Sequence, residues 1–181
     1  AAVIGCGGWG PNLLNVFFSN IETKLKWMCD LSAPRLEFLK QTFHDVQATT
    51  DYLEILNDPK VDLVAIATPV DSHYPLAKAA LEAGKHVLVE KPMTASVAHA
   101  EELIELAKKK GLLLATDHVL CYSNEAQYLH NLIQGGELGK LLYWDSVRLN
   151  LGAVRSDYNV LWDLAVHDVS LFYHVTGRMP V

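Results

Sequence analysis

The chain is poor in the features that mark several broad protein classes. Its three cysteines, Cys6, Cys29 and Cys121, are odd in number and form no C-x-x-C pair, which argues against a disulfide framework and a structural zinc site. No apolar run approaches the roughly 18 residues that a membrane span needs, and no charged start leads into an apolar signal core. We therefore expect a cytoplasmic location and no membrane partner.

Basic residues are also scarce. The chain has 15 lysines and arginines against 21 aspartates and glutamates, for a formal net charge of -6. The longest basic run, 108–110, closes a predicted helix just before Gly111, where cations complement the helix dipole and glycine supplies the C-terminal cap. A nucleic-acid partner is therefore not expected.

The length indicates one complete domain and part of another. At 181 residues the chain exceeds a typical domain of about 100 to 150 residues, and its 50% apolar content can form a sizeable core. It begins inside a predicted strand without methionine and ends at Val181 without a polar tail, so we expect a fragment of a longer protein. We predict two domains, 1–118 and 119–181.

A glycine-rich turn follows the apolar opening of the chain. In the sequence GCGGWG, Gly5 allows a tight turn, Gly7 has no side chain to keep phosphates from the backbone, and Gly10 lets a helix pack closely on its strand. Leucines and phenylalanines at helical spacing follow directly, so a helix N-terminus is available to a phosphate. The pattern also occurs in ordinary loops. Because a predicted helix follows it directly, the glycine motif predicts a dinucleotide site formed by Gly5, Gly7, Gly8, Trp9 and Gly10.

Asp30 supports this prediction because it ends the second predicted strand, 20 positions after Gly10. A carboxylate there can accept hydrogen bonds from the adenosine ribose and would repel a 2′-phosphate, which favours NAD over NADP. Two alternatives stay open. Asp30 can be a solvated strand-end residue, and Arg35, one helical turn further on, can accept the phosphate of NADP.

Apolar runs alternate with helical patterns up to Thr116. After the first two strands, further strands are predicted at Val61 to Ala67, His86 to Val89 and Leu112 to Thr116, with a short one at Gln47 and Ala48. This βαβ series predicts an α/β fold with a doubly wound parallel sheet that is covered on both faces.

The helical patterns continue beyond that sheet. The clearest helix spans Ser96 to Lys110 and offers an ion pair between Glu105 and Lys109. After Thr116 come a helix over 124–134, a glycine-containing turn and a β-prone stretch over 141–151. That stretch predicts the beginning of an open sheet in the second domain.

Ligands of doubly wound sheets bind outside the carboxyl ends of the strands, so residues that follow the strands are site candidates. Thr68 and Pro69 follow the fourth strand, and His73 lies in the first turn of the next helix. We predict cofactor contacts for these three residues. The alternative is a strand stop with Asp71 or Ser72 as a helix cap and an exposed histidine.

The fifth strand ends in the sequence HVLVEKP, at Glu90, Lys91 and Pro92. A lysine at this position points toward a nicotinamide pocket. If it is partly desolvated and near other charges, its amine can share a proton with a substrate hydroxyl near neutral pH. The alternative is a surface ion pair in a loop.

Asp163 and His167 are four residues apart in LWDLAVHDVSLFYHVTG, a predicted helix with Gly177 as its C-cap. A carboxylate one turn from an imidazole orients it and stabilises its protonated form, as a general base requires. The alternatives are an exposed helix pair and a capping role for Asp163. His167 and His174 are seven apart, but no third ligand follows at suitable spacing, so no metal site is predicted.

Taken together, GCGGWG, Asp30, GKHVLVEKP and WDLAVHD resemble the Gfo/Idh/MocA family of NAD(P)-dependent oxidoreductases, and the resemblance spans nearly the whole chain. It implies a Rossmann domain followed by an α/β domain, here incomplete, whose large and mostly antiparallel sheet serves substrate binding and homo-oligomer formation. It also suggests a cis peptide bond between Lys91 and Pro92.

The resemblance implies a dehydrogenase that passes a hydride from a secondary hydroxyl of a sugar or sugar nucleotide to NAD, with NADP as the alternative cofactor. His167 would be the base, Lys91 would bind the reacting oxygen, and Asp163 would orient the histidine, although the roles of Lys91 and His167 can be exchanged. The stretch RSDYNVLWDLAVHD is similar to UDP-N-acetylglucosamine or glucosaminuronate 3-dehydrogenases, in which case Arg155, Asp157 and Asn159 would lie at the mouth of the substrate site.

Alternatives remain for the function of the protein and for the role of the stretch around Arg155. The same fold hosts non-catalytic NAD-binding regulators, as well as glycosidases and reductases in which hydride transfer is only one step. The stretch around Arg155 can also be an ordered loop that binds no substrate.

Overall fold

The computed structural model describes residues 1–149 and 159–179. Two of the predicted substrate residues, Arg155 and Asp157, lie outside the described residues. The chain forms two compact units, Ala1–Asp117 and His118–Val181. The assignment of 119–181 to a separate substrate domain stays a prediction.

The first unit is built on one six-stranded parallel sheet, which confirms the predicted α/β fold. Its strand order is β3-β2-β1-β4-β5-β6, so the order reverses between β1 and β4. The reversal is the position at which doubly wound sheets bind their ligands, outside the carboxyl ends of the strands. The strands are β1 (Ala2–Ile4), β2 (Trp27–Cys29), β3 (Gln47–Thr49), β4 (Leu63–Ile66), β5 (His86–Glu90) and β6 (Leu114–Asp117).

Helices cover both faces of this sheet. Successive side chains of a strand point to opposite faces. In β1, accordingly, Ala2 and Ile4 pack into one apolar cluster while Val3 packs into the other. The helices of the first unit are α1 (Gly10–Ser19), α2 (Ala33–Lys40), α3 (Tyr52–Asn57), α4 (His73–Glu82) and α5 (Val97–Lys110), with a short 3-10 turn at Val70–Ser72 before α4.

The predicted limits of α5 are confirmed at its C-terminus. Gly111 follows the last helical residue in the left-handed conformation, with φ at 66°, where glycine carries no side-chain penalty. The predicted ion pair is corrected by one residue, because Glu105 Oε1 lies 2.9 Å from Lys108 Nζ, three residues ahead. Residues three and four apart are both neighbours on a helix surface, so spacing alone does not choose between the two lysines.

The second unit consists of helices and a coil segment in its described part. Helices α6 (Asn124–Gln134) and α7 (Val166–Thr176) pack together, and Gln134 Nε2 donates to the Val175 carbonyl at 3.1 Å. A 3-10 turn at Val119–Tyr122 precedes α6, and a π-helical turn at Leu161–Ala165 leads into α7. Gly177 ends α7 with φ at 68°, as predicted.

The β-prone stretch is not a strand in its described residues, 141–149. An extended segment becomes a strand only when another strand pairs with it, and the described residues of the second unit supply none. Among the helices that the structure describes, none combines the length and apolarity that a membrane crossing requires.

We predict that Gly10→Ala destabilises the first unit, because a Cβ atom on Gly10 would lie 2.0 Å from the carbonyl oxygen of Gly5. Backbone atoms have to move to relieve such a contact, and overpacking of this kind costs about 1–3 kcal/mol or more. The matched control is Gly8→Ala, since a Cβ atom on Gly8 meets nothing within 4 Å. Urea unfolding of the two variants would contradict the prediction if both lost the same free energy of unfolding.

Candidate dinucleotide and catalytic site

The glycine loop joins β1 to α1 and leaves open space on one side. Gly5 turns the chain with φ at 92°, and its N–H donates to the Cys29 carbonyl at 2.8 Å. A Cβ atom on Gly5 would lie 2.6 Å from the backbone of Ala67, whereas one on Gly7 or Gly8 would meet nothing within 4 Å. The loop is therefore tightly packed at its base and open at Gly7 and Gly8. This is the shape that a diphosphate needs to approach the backbone.

Asp30 is tied directly to this loop. Its Oδ2 accepts a hydrogen bond of 2.8 Å from the Cys6 backbone N–H, and its Oδ1 accepts one of 2.8 Å from the Ser32 N–H. The sequence suggested a role toward the cofactor or a solvated strand end, and these two bonds to the backbone were not predicted. A carboxylate has about four lone-pair sites, so each oxygen can still accept a bond from a ligand hydroxyl.

Arg35 holds the other side of the same loop. Its Nε donates to the Cys6 carbonyl at 2.7 Å and its Nη2 to the Gly7 carbonyl at 3.2 Å. The sequence analysis considered this arginine only as a partner for the phosphate of NADP. In the structure, two of the five N–H groups of its guanidinium donate to the loop backbone.

Hydrogen bonds from side chains of the first unit stabilise the turn after β4. The Ser72 hydroxyl lies 2.6 Å from the Pro69 carbonyl and 2.7 Å from the Thr68 hydroxyl, and it does not cap α4. His73 is only 1% exposed. The alternative of an exposed histidine with Ser72 as a helix cap is therefore wrong.

Glu90 is the last residue of β5 and lies beside Asp117, the last residue of β6, in the parallel register. Paired residues on neighbouring strands present their side chains on the same face, so the two carboxyl groups are neighbours. Burial and the adjacent Asp117 together raise the pKa of Glu90 to about 8, while the Lys91 backbone N–H, 3.2 Å from Oε2, opposes the rise. Lys91 follows directly, and the Lys91–Pro92 peptide bond is cis.

In the second unit, Asn159 has a local role that the sequence analysis missed. Its Oδ1 accepts hydrogen bonds from the backbone N–H groups of Leu161 at 3.1 Å and Trp162 at 3.2 Å. Asn159 therefore caps the helical segment, a role that the sequence analysis considered for Asp163. Asparagine is a preferred N-cap residue, which is the signal that could have identified it.

Asp163 lies in the π-helical turn and His167 in the first turn of α7. The predicted continuous α-helix is therefore wrong at its start. A π-helical turn within a helix is rare and is frequent at functional sites. Four residues remain close to one turn in either geometry, so the spacing still favours a common face.

The carboxylate of Asp168 holds the coil segment that contains Ser146 and Arg148. Its Oδ1 accepts from the Ser146 hydroxyl at 2.7 Å and its Oδ2 from Arg148 Nε at 2.8 Å. Burial disfavours the charged carboxylate, but the bonds from Arg148 and Ser146 outweigh it and lower the pKa of Asp168. The His174 ring lies 3.0 Å from the Gln127 amide. Within 1–149 and 159–179, no three His, Cys, Asp or Glu side chains are grouped to hold a metal ion.

These features of the first unit define a Rossmann domain with a dinucleotide cradle. Comparison with known proteins extends the identification, because the pattern of the Gfo/Idh/MocA oxidoreductase family, with its NAD-binding Rossmann fold, matches residues 1–118. The chain belongs to this family.

Named relatives show the range of substrates within the family. The chain is 38% identical to UDP-N-acetylglucosamine 3-dehydrogenase of Acidithiobacillus ferrooxidans, over 67% of this chain and 38% of that protein. It is 32% identical to the scyllo-inositol 2-dehydrogenase (NADP(+)) IolW of Bacillus subtilis, over 81% of this chain and 43% of that protein.

A solved structure extends the likeness to nearly the whole chain. GenD2 from gentamicin A biosynthesis, in complex with NAD, superposes with a TM-score of 0.84 at 27% identity, over 97% of this chain and 53% of GenD2. The chain thus spans about half or less of the length of these three proteins.

We predict that the stability of the first unit falls as the pH rises toward 8, because Glu90 holds a proton in the folded protein that the unfolded chain loses. The pKa of Glu90 is raised from 4.5 to about 8. The folded state therefore binds more protons between these values, and the stabilisation is complete below the lower value and lost as the pH passes the higher one. Glu90→Gln should remove this part of the pH dependence, and Asp117→Asn should weaken it.

The measurement is urea unfolding at about pH 5 and about pH 9, with Glu101→Gln on the exposed face of α5 as the control. A Glu90→Gln variant that lost as much stability between the two pH values as the wild type would show that Glu90 is ionised throughout.

Proposed function

We propose that the whole protein is an NAD-dependent dehydrogenase that oxidises a secondary hydroxyl of a sugar or sugar nucleotide. One observation carries the proposal. The glycine loop follows β1 and Lys91 follows β5, and only β4 lies between these two strands. Because the sheet is parallel, both features lie at the same edge of it, so a dinucleotide on the loop would extend past the lysine.

The residues of the first unit fit the dinucleotide. The open backbone of Gly7 and Gly8, together with the adjacent Trp9, would receive the diphosphate, and the remaining lone pairs of Asp30 would receive the ribose hydroxyls. Thr68 and Pro69 follow β4, Glu90 ends the neighbouring β5, and all three would line the nicotinamide half. When bound, the nicotinamide ring supplies the hydride acceptor for the alcohol carbon.

Lys91, His167 and Asp163 would handle the proton of the alcohol. Oxidation of a secondary alcohol to a ketone removes one hydride from carbon and one proton from oxygen. The Lys91 amine would bind the oxygen and share its proton, the His167 imidazole would take the proton as general base, and the Asp163 carboxylate would orient and stabilise the charged imidazole. The exchange of roles between Lys91 and His167 stays open.

The substrate class is supported by the relatives named for a UDP-N-acetyl sugar and for an inositol. Both are polyhydroxylated rings with secondary hydroxyl groups. We propose the 3-hydroxyl of a UDP-N-acetyl sugar as the specific target, with Arg155 on the phosphate or a carboxylate. Because its side-chain oxygen caps the helix, Asn159 would contribute to substrate binding only through its side-chain NH2 group. A homo-oligomer in the cytoplasm is part of the same proposal.

Lys91→Ala should abolish turnover in the whole protein while NAD+ still binds, because the amine acts on the substrate oxygen and the cradle lies elsewhere. Loss of a proton-transfer group costs about a hundredfold or more in rate. Reduced-nicotinamide absorbance with a panel of nucleotide sugars measures turnover, and Lys109→Ala at the exposed end of α5 is the control. A Lys91→Ala variant with near wild-type rates would refute the mechanism, and a wild type that binds NAD+ but reduces none with any sugar would favour a regulator.

The proposed preference for NAD+ over NADP+ rests on Asp30, whose charge opposes a 2′-phosphate. Asp30→Asn should lower NAD+ affinity about tenfold or more, as expected for lost bonds to a charged group, and should narrow the ratio between the two cofactors. Calorimetric titration with both dinucleotides is the measurement, and Asp45→Asn at an exposed site is the control. Tighter binding of NADP+ by the wild type would overturn the assignment and would give Arg35 the specificity role.

A further inference from the structure

The two ring nitrogens of His73 lie within hydrogen-bonding distance of two backbone carbonyl groups in separate parts of the candidate site. Its Nδ1 lies 2.8 Å from the Pro92 carbonyl oxygen, and its Nε2 lies 2.8 Å from the Thr68 carbonyl oxygen. Thr68 belongs to the turn after β4, and Pro92 belongs to the turn after β5. The ring is 1% exposed. Both ring nitrogens therefore face backbone, and the ring cannot also offer a nitrogen to a ligand.

The position of His73 in the chain explains why one side chain reaches both turns. It is the first residue of α4, the helix that connects β4 to β5, and these two strands are direct neighbours in register, with Ile66 beside Val89. The crossover helix thus begins next to the carboxyl ends of both strands. A ring at this point can bond to both turns.

A carbonyl oxygen only accepts, so each of these bonds requires an N–H on the ring. A neutral imidazole has one N–H and an imidazolium has two. Burial lowers the pKa of His73, and the two carbonyl groups act in the opposite direction. In the neutral ring one bond is complete, and the other nitrogen faces a carbonyl at 2.8 Å without a proton.

We propose that His73 is a positioning residue that fixes the turn containing Thr68 relative to the turn containing Lys91 and Pro92, and thereby holds the Lys91 backbone against the dinucleotide cradle. The inference rests on the proposed function of Lys91. In this role the ring nitrogens of His73 face two backbone carbonyl groups, in place of the direct cofactor contact predicted from the sequence. This role also predicts that His73 affects the rate of the reaction more than the affinity for NAD+.

Three substitutions separate the contributions of the ring. His73→Phe keeps an aromatic ring and removes both donors. His73→Asn retains an amide near the position of Nδ1, toward Pro92, and His73→Gln retains one near the position of Nε2, toward Thr68. His99→Phe is the control, because the His99 ring stacks on Tyr74 at 3.8 Å between α4 and α5, outside the two turns.

The first measurement is steady-state kinetics together with NAD+ titration in the whole protein. His73→Phe should lower kcat about ten- to hundredfold, as expected for a displaced catalytic group, while the Kd for NAD+ changes less than about threefold. One of the two amide variants should recover most of the rate, and it identifies the carbonyl group that accepts the ring N–H. Unchanged kcat in folded His73→Phe would overturn the proposal.

The second measurement needs no turnover. Hydrogen exchange should become faster in His73→Phe at 67–70 and 90–93, including the Lys91 N–H that bonds to Glu90, and should stay unchanged in His99→Phe. Faster exchange at both turns in a protein without dehydrogenase activity would support the positioning role and refute the proposed function. Exchange that rises evenly over the first unit would mean a general stabilising role and overturn the proposal.

If His73→Phe does not fold, the ring of the wild type can be observed directly by nitrogen NMR. A ring N–H that exchanges slowly with water and couples to a carbonyl supports the bridge. A ring whose protons exchange rapidly contradicts it.

Discussion

The close approach of two backbone segments at the base of the glycine loop governs the first unit. Gly10 begins α1 directly against the Gly5 carbonyl, and Gly5 itself lies against Ala67 at the end of β4. No side chain fits at either point. The helix therefore starts close to β1 and to the residue that follows β4, where the strand order reverses, while Gly7 and Gly8 border open space. The dinucleotide cradle is a consequence of this packing.

Much of the first unit could be predicted because its signals are local. The alternation of apolar runs with helical patterns is set by burial on both sheet faces, and even the short β3 was recognised. The second unit was harder for a physical reason. A strand needs a pairing partner, so the β-prone residues 141–149 do not form a strand where the described residues of the second unit offer none. The π-helical turn before α7 likewise has no counterpart in residue periodicity, which assumes a regular helix.

The candidate site divides in the same way. The glycines, Asp30, Glu90 and Lys91 could be proposed from the sequence because each lies at a strand end or just after one. The bonds from Arg35 to the loop, the bridge made by His73, and the pairing of Glu90 with Asp117 could not. Each joins residues that are distant in the chain, and each depends on which strands become neighbours. The side chain of Asn159 was predicted to contact a ligand, and its capping bonds were not predicted, although asparagine is a preferred N-cap residue.

The double engagement of Asp30 has a consequence for how this protein can change. The carboxylate that we propose as the acceptor for the ribose hydroxyls also accepts the Cys6 N–H, so in this proposal cofactor selectivity and the shape of the loop share one residue. A substitution of Asp30 that removes the carboxylate would therefore also weaken one of the bonds that hold the loop. A second, compensating substitution would then have to restore a hydrogen-bond acceptor for the Cys6 N–H. Variants with altered cofactor use should accordingly be reached by paired substitutions more readily than by single ones.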